Sequence, residues 1–156
     1  MKKHFFERLG KLEKEQEALV SMSNKIMGIG NGIIDRYKNP VLTAAHIPLY
    51  WRYDLNAHSN PYLMERVTIN SVFNAGAIKF NDKYIVVARV EAGARKSFFA
   101  IAESDNGIDN FKFWEQPVTL PETEVPDTNV YDMRLVQHED GWIGRASCRE
   151  RVYLCV

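Results

Sequence analysis

The chain has 156 residues, the length of one ordinary domain. Hydrophobic residues make up 46% and charged residues 26%, the balance of a soluble globular protein. Twenty Lys plus Arg against 20 Asp plus Glu leave no net charge, so the basic excess of a nucleic-acid binder is absent, and no apolar run is long enough to span a bilayer.

The start, "MKKHFFERLGKLEKEQEALV", has two lysines but no continuous apolar run behind them, which argues against a secretory leader. Residues 3–27 read as a helix. Phe5, Leu9, Leu12, Leu19, Met22 and Ile26 recur at helical spacings, with Glu and Lys on the other faces. Gly28, Gly30 and Gly32 follow. They neither trail a strand nor open a helix, so they read as a flexible helix exit rather than a phosphate loop.

Residues 33–70 read as irregular, with Asn-Pro turns in "KNPVLT" and "SNPYL". Tyr50, Trp51 and Tyr53 lie between them, either covering the edge of a core or forming a stacking wall for a flat ligand. From residue 70 the period changes to two. "INSVFNAGAIKF" is a strand, Asn81-Asp82 a tight turn, and "KYIVVARVEA" the returning strand. "RKSFFAIAES" makes a third strand and "KFWEQPVTL" a short fourth or edge strand. "NVYDMRLVQHEDGWI" starts afresh as a strand, a turn at Glu139–Asp140–Gly141, and the beginning of another strand. Four antiparallel strands and a fresh start suit a propeller blade, and a sandwich gives similar spacing.

Several strand residues break the alternation. Asn74 sits beside Ala75 and Gly76, Arg89 lies two residues from Glu91, and Asp132 lies two residues from Arg134. Residues two apart on a strand share a face, so each charged pair faces one way. Paired charges on a solvated face are one reading. Convergence on a central pocket is the other: an amide, guanidinium groups and one carboxylate there suit a hydroxyl-rich ligand such as a sugar.

"NPVLTAAHIPLYWRYDLN", "SVFNAGAIKF", "YIVVARVEAGARKS" and "NVYDMRL", in this order and spacing, resemble the mannoside phosphorylases of glycoside hydrolase family 130. The likeness runs over nearly all of residues 30–143, and the N-terminal helix fits it. It implies an all-β fold, a five-bladed β-propeller with a central active site. Only the helix, the first blade and part of a second are present here. It also implies inverting phosphorolysis of a β-1,4-mannosyl-glucose disaccharide to α-mannose 1-phosphate and glucose. Phosphate arrives already nucleophilic, so one general acid is enough. The family's acid motif matches "YDMR", which gives that role to Asp132, its proton passing through a hydroxyl of the bound mannose. Asn74 and Arg89 match positions that hold the mannose, and Arg95 in "GARKS" is a candidate for the glucose side. Tyr131, Arg134 and Glu91 are expected as supporting neighbours, with Arg134 tending to keep Asp132 ionised.

Family members extend well beyond this length, and their basic phosphate-binding groups come after the point where this chain stops. The resemblance therefore implies inorganic phosphate as co-substrate, a small mannoside as partner, a homo-oligomer at full length, and no cofactor, metal, nucleic acid or membrane. On the same fold, a β-mannoside hydrolase, a phosphorylase for another mannoside and a non-catalytic sugar-binding propeller are alternatives. An oligomerisation fragment led by the helix is more remote. The expected division is a helix over 1–27, a partial catalytic propeller over 28–143, and a foreign tail over 144–156. That tail, "GRASCRERVYLCV", holds both cysteines, Cys148 and Cys155, and resembles a translated vector junction. The cysteine-free body suggests a reducing, cytoplasmic setting. An open blade edge exposes unpaired backbone, so the chain as written is expected to be unstable or to self-associate.

Overall fold

The computed structural model describes residues 2–119, 129–138, 141–147 and 151–155. It is mostly sheet with one long N-terminal helix, α1, Lys2–Val20. Among the described residues no helix is long and apolar enough to cross a membrane.

α1 is shorter than its apolar spacing suggests. It stops where Ser21 turns its hydroxyl back onto Glu17 O at 2.7 Å and Asn24 is pulled away from the helix. The Asn24 backbone N–H donates to Asp109 Oδ2 at 2.9 Å, and its amide donates to Asn39 O at 2.8 Å. Side chains of this kind compete with the helix for backbone partners. The glycine-rich stretch is not a helix exit. Ile26–Gly30 is β1, paired antiparallel with β2, Asp35–Tyr37. Asn31 Oδ1 accepts the N–H groups of Ile33 and Ile34, and Gly32 at φ +80 completes the turn.

The N-terminal part of the helix stripe is buried. Phe5 joins Leu49, Tyr53 and Leu63 in one cluster, with Leu9 and Leu12 against it. Leu49 and Tyr53 belong to or follow α2, the single turn Leu49–Arg52. Met22 and Ile26, placed on the same stripe by spacing, are exposed because the helix has ended.

The main sheet has the order β3 (Ile69–Phe80), β4 (Lys83–Ala92), β5 (Ser97–Ser104), β6 (Lys112–Phe113), an antiparallel meander. Asn81 and Asp82 both have positive φ, 46 and 62, as a two-residue hairpin turn with right-handed strand twist requires. β6 is reduced to two residues, and Pro117 lies a few residues beyond it. β4 and β5 are covered on both faces. Val86, Ala88 and Ala102 meet Leu42 and Phe111 on one side, and Val87, Phe99 and Ile101 meet Val130 and Met133 on the other. Burial on both faces explains their continuous apolar runs.

A second sheet, β7 (Arg134–His138), β8 (Gly141–Ser147) and β9 (Arg151–Cys155), starts against β3. The turn expected at Glu139–Asp140–Gly141 includes Glu139 and Asp140, which lie outside the described residues. β7 and β8 repeat β3 and β4. Gly76↔Val87, Ala77↔Val86, Ile78↔Ile85, Lys79↔Tyr84 and Phe80↔Lys83 pair in the first hairpin. The same register recurs, 58 residues on, as Arg134↔Arg145, Leu135↔Gly144, Val136↔Ile143, Gln137↔Trp142 and His138↔Gly141. The repetition ends after the hairpin. β5 pairs Val87 with Ile101, whereas β9 pairs Arg145 with Tyr153 across a shorter connection.

Candidate functional site

The cluster that the two hairpins share begins with a β-bulge. On β3 the register jumps from Phe73↔Arg89 to Gly76↔Val87, so Asn74 and Ala75 together oppose Ala88. A bulge of this kind re-aims a side chain. Asn74 adopts φ 47, leaves the alternation of its strand, and sends its amide to Asp132.

Asp132 is not inside a strand. β7 starts two residues later, at Arg134, and Asp132 has φ 46. Its Oδ1 accepts the Asn74 Nδ2 amide at 2.7 Å. Both residues therefore occupy the left-handed region, at a cost on the order of 1 kcal/mol each, and Asn and Asp are the residues that tolerate it best after glycine. They are also one repeat apart, at equivalent positions of the two hairpins.

Arg89 packs on the residues that precede this pair, Phe73 and Tyr131. It projects from the face of β4 that carries Val87, and it is buried, at 7% exposure. Its guanidinium carbon is 4.8 Å from the centroid of Phe73 and 4.2 Å from that of Tyr131. Desolvated cation–π contacts of this type stabilise by about 2 kcal/mol. Arg89 Nη2 is 3.8 Å from Glu91 Oε2, an ion pair too long to be a hydrogen bond, so these two residues share a face. Arg89 Nε is buried with no hydrogen-bond partner among the described residues, which costs about 1–3 kcal/mol. Glu91 Oε1 also takes a long contact from Asn70 Nδ2, at 3.4 Å.

The structure thus brings together Asn74, Arg89, Asp132, Tyr131 and Glu91. Two expected members stand apart. Arg95 sits exposed in the β4–β5 turn at φ 64, and its guanidinium has no hydrogen bond or ion pair among the described residues. Arg134 does not share a strand face with Asp132, because the alternation begins only at Arg134 itself. Its Nη1 donates to Met133 O at 3.2 Å. Phe73 is the member that polarity alone does not find. The signal for it is its place before Asn74, matching Tyr131 before Asp132.

Close packing holds the two dipeptides together. A Cβ on Gly76 would lie 2.8 Å from Met133 O and 3.2 Å from Leu135 N, so only glycine lets β3 approach the segment entering β7. Ser97 anchors the same segment from β5. Its hydroxyl accepts the Val130 N–H at 3.0 Å and lies 3.1 Å from Val130 O. The aromatic run behaves as a core edge. Tyr53 is buried, Trp51 packs on Phe98 and Phe113 at 6.0 Å, and its indole donates to Glu115 O at 2.8 Å. Among the described residues no group of three or more His, Cys, Asp or Glu side chains could hold a metal ion.

Fold and cluster define a sheet protein whose carboxylate is held by an amide at the junction of two repeated hairpins, beside aromatics that pack on a buried arginine. The chain is 60% identical, over 147 residues, to the curated 4-O-beta-D-mannosyl-D-glucose phosphorylase of Bacteroides fragilis. The match takes in 94% of this chain and 38% of that relative, so the chain spans well under half the relative's length. A solved structure of a proposed glycoside hydrolase from Bacteroides ovatus aligns with 53% of this chain and 26% of its own, at 26% identity. The TM-score is 0.43. No family model matches.

Proposed function

We propose that this chain is the N-terminal part of a mannosyl-glucose phosphorylase and supplies its general acid, Asp132. The observation that carries the reading is the 60% identity to the Bacteroides fragilis phosphorylase over 94% of the chain. The geometry is consistent with it. One carboxylate accepts one amide, and the residues before these two, Tyr131 and Phe73, pack on one buried guanidinium. Two hairpins in the same register support the first and second blades of a propeller, with residues 28–143 as its partial catalytic domain.

In the proposed reaction a phosphate oxygen attacks the anomeric carbon of the mannose with inversion. The bond from that carbon to O4 of glucose breaks, and O4 takes a proton that originates on Asp132 and passes through a mannose hydroxyl. Asn74 and Arg89 hold the mannose. No base is required, because phosphate needs no activation. Full-length partners, homo-oligomerisation and a cytoplasmic setting belong to the same proposal. The 156-residue chain itself is expected to be inactive, because no group in it is assigned to phosphate.

The test is a chimera in which residues 1–143 replace the corresponding segment of the Bacteroides fragilis relative. It should form mannose 1-phosphate from mannosyl-glucose and phosphate. Mannose released without phosphate would favour a hydrolase, and no turnover of any β-mannoside would sink the enzyme reading.

A further inference from the structure

Asp132 has two carboxyl oxygens, and its surroundings treat them differently. Oδ1 accepts the Asn74 amide at 2.7 Å. An amide nitrogen can only donate, and the hydroxyl oxygen of a carboxylic acid is a poor acceptor, so a proton arriving on Asp132 is directed to Oδ2. The bulge at Asn74–Ala75 and the left-handed backbone at both residues serve this one contact, since regular strands would send both side chains elsewhere.

We propose that Asn74 is a positioning residue for Asp132, holding Oδ1 so that Oδ2 alone carries and delivers the proton. The inference rests on the reading of Asp132 as the general acid. It adds the reason for an amide at the equivalent position of the first hairpin. A carboxylate at position 74 would lie within hydrogen-bond distance of Asp132, and the two acids would share one proton. The amide keeps the acid single. Among the described residues, the other charged or titratable groups on the elements packed here are Arg89 and Glu91 on β4 and Tyr131 in the segment entering β7, while Arg134 opens β7 and turns its guanidinium to Met133 O.

Three measurements test this. In the chimera, Asn74→Gly removes the amide while keeping a residue that accepts positive φ without strain. kcat should fall about tenfold to a hundredfold, on top of any rise in KM from the lost mannose contact, because a misplaced acid lowers turnover at saturating substrate. Asn74→Asp should move the basic limb of the kcat profile to higher pH, because the new pair holds a shared proton. In the 156-residue chain, the side-chain amide protons of Asn74 should shift with pH, and Asp132→Asn should abolish that shift. An unchanged kcat in Asn74→Gly, or a loss confined to KM, overturns the proposal. So do amide protons that ignore pH. If the unsubstituted chimera makes no mannose 1-phosphate, the phosphorylase reading has failed, and the amide protons alone decide whether Asn74 grips Asp132.

Discussion

Arg89 holds its guanidinium carbon 4.2 Å from the centre of the Tyr131 ring, across the junction of the two sheets. The aromatic is partly exposed, the arginine is not, and the carboxylate that follows Tyr131 is held by the residue that follows Phe73. The arginine is therefore clamped by both hairpins.

Loosening that clamp should have a modest, specific cost. Tyr131→Ala removes one face of the sandwich and should destabilise the chain by about 1–2 kcal/mol, while Tyr131→Phe should be close to neutral. Urea denaturation compares the three. Equal stability of Tyr131→Ala and the parent would show that the stacking contributes nothing.

Gly76 and Gly10 should respond in opposite directions to the same substitution. At Gly76 an added methyl meets the backbone of Met133 at 2.8 Å, so Gly76→Ala should cost about 1–3 kcal/mol by forcing the sheets apart. At Gly10, inside α1, nothing lies within 4 Å, and Gly10→Ala should stabilise by about 1 kcal/mol through helix propensity. Urea midpoints at unchanged m-value read both effects.

Acid should weaken the fold through His46. Burial pushes its imidazole below the ordinary value of 6.5, and its Nδ1 receives the Thr43 N–H at 3.0 Å, which needs a free lone pair. As pH falls through about 6.5 the unfolded chain takes up this proton before the folded one. Stability then declines with pH until the folded imidazole is protonated too, and it is fully present above 6.5. Denaturation curves between about pH 5 and 8 should show this slope, and His46→Gln should flatten it.

Replacing Asp132 tests the proposed acid and separates chemistry from binding. Asp132→Asn in the chimera should reduce kcat by about a hundredfold to ten-thousandfold, the usual worth of a general acid. Mannoside affinity should change far less. Turnover that survives this substitution would move the acid elsewhere.

The strands of the first hairpin are legible in the sequence to the residue, because a β-branched apolar run and the Asn81-Asp82 turn are local signals. The end of the helix is not. Met22 and Ile26 continue the spacing, but Asn24 is claimed by Asp109, 85 residues away, and no local pattern reports that. The companionship of Arg89 and Glu91 follows from strand geometry, whereas Asp132 and Arg134 were placed on one face only by extending a strand that starts later. Polarity pointed to Asn74, Arg89 and Asp132, but it said nothing of their order in space. That order depends on a bulge and two left-handed residues, which leave no periodic trace. The repeat shows only in the structure: "VFNAGAIKF" and "VYDMRLVQH" share a register and little sequence beyond Val72 and Val130.

The common register of the two hairpins has a genetic corollary. Asparagine and aspartate codons differ by one base at the first position, so a copied hairpin is a single transition away from exchanging an amide for an acid. Two copies folded side by side bring the altered residue directly against its unaltered ancestor. A carboxylate and the amide that steadies it can thus arise together, from one duplication and one point change, without a binding partner having to be invented separately.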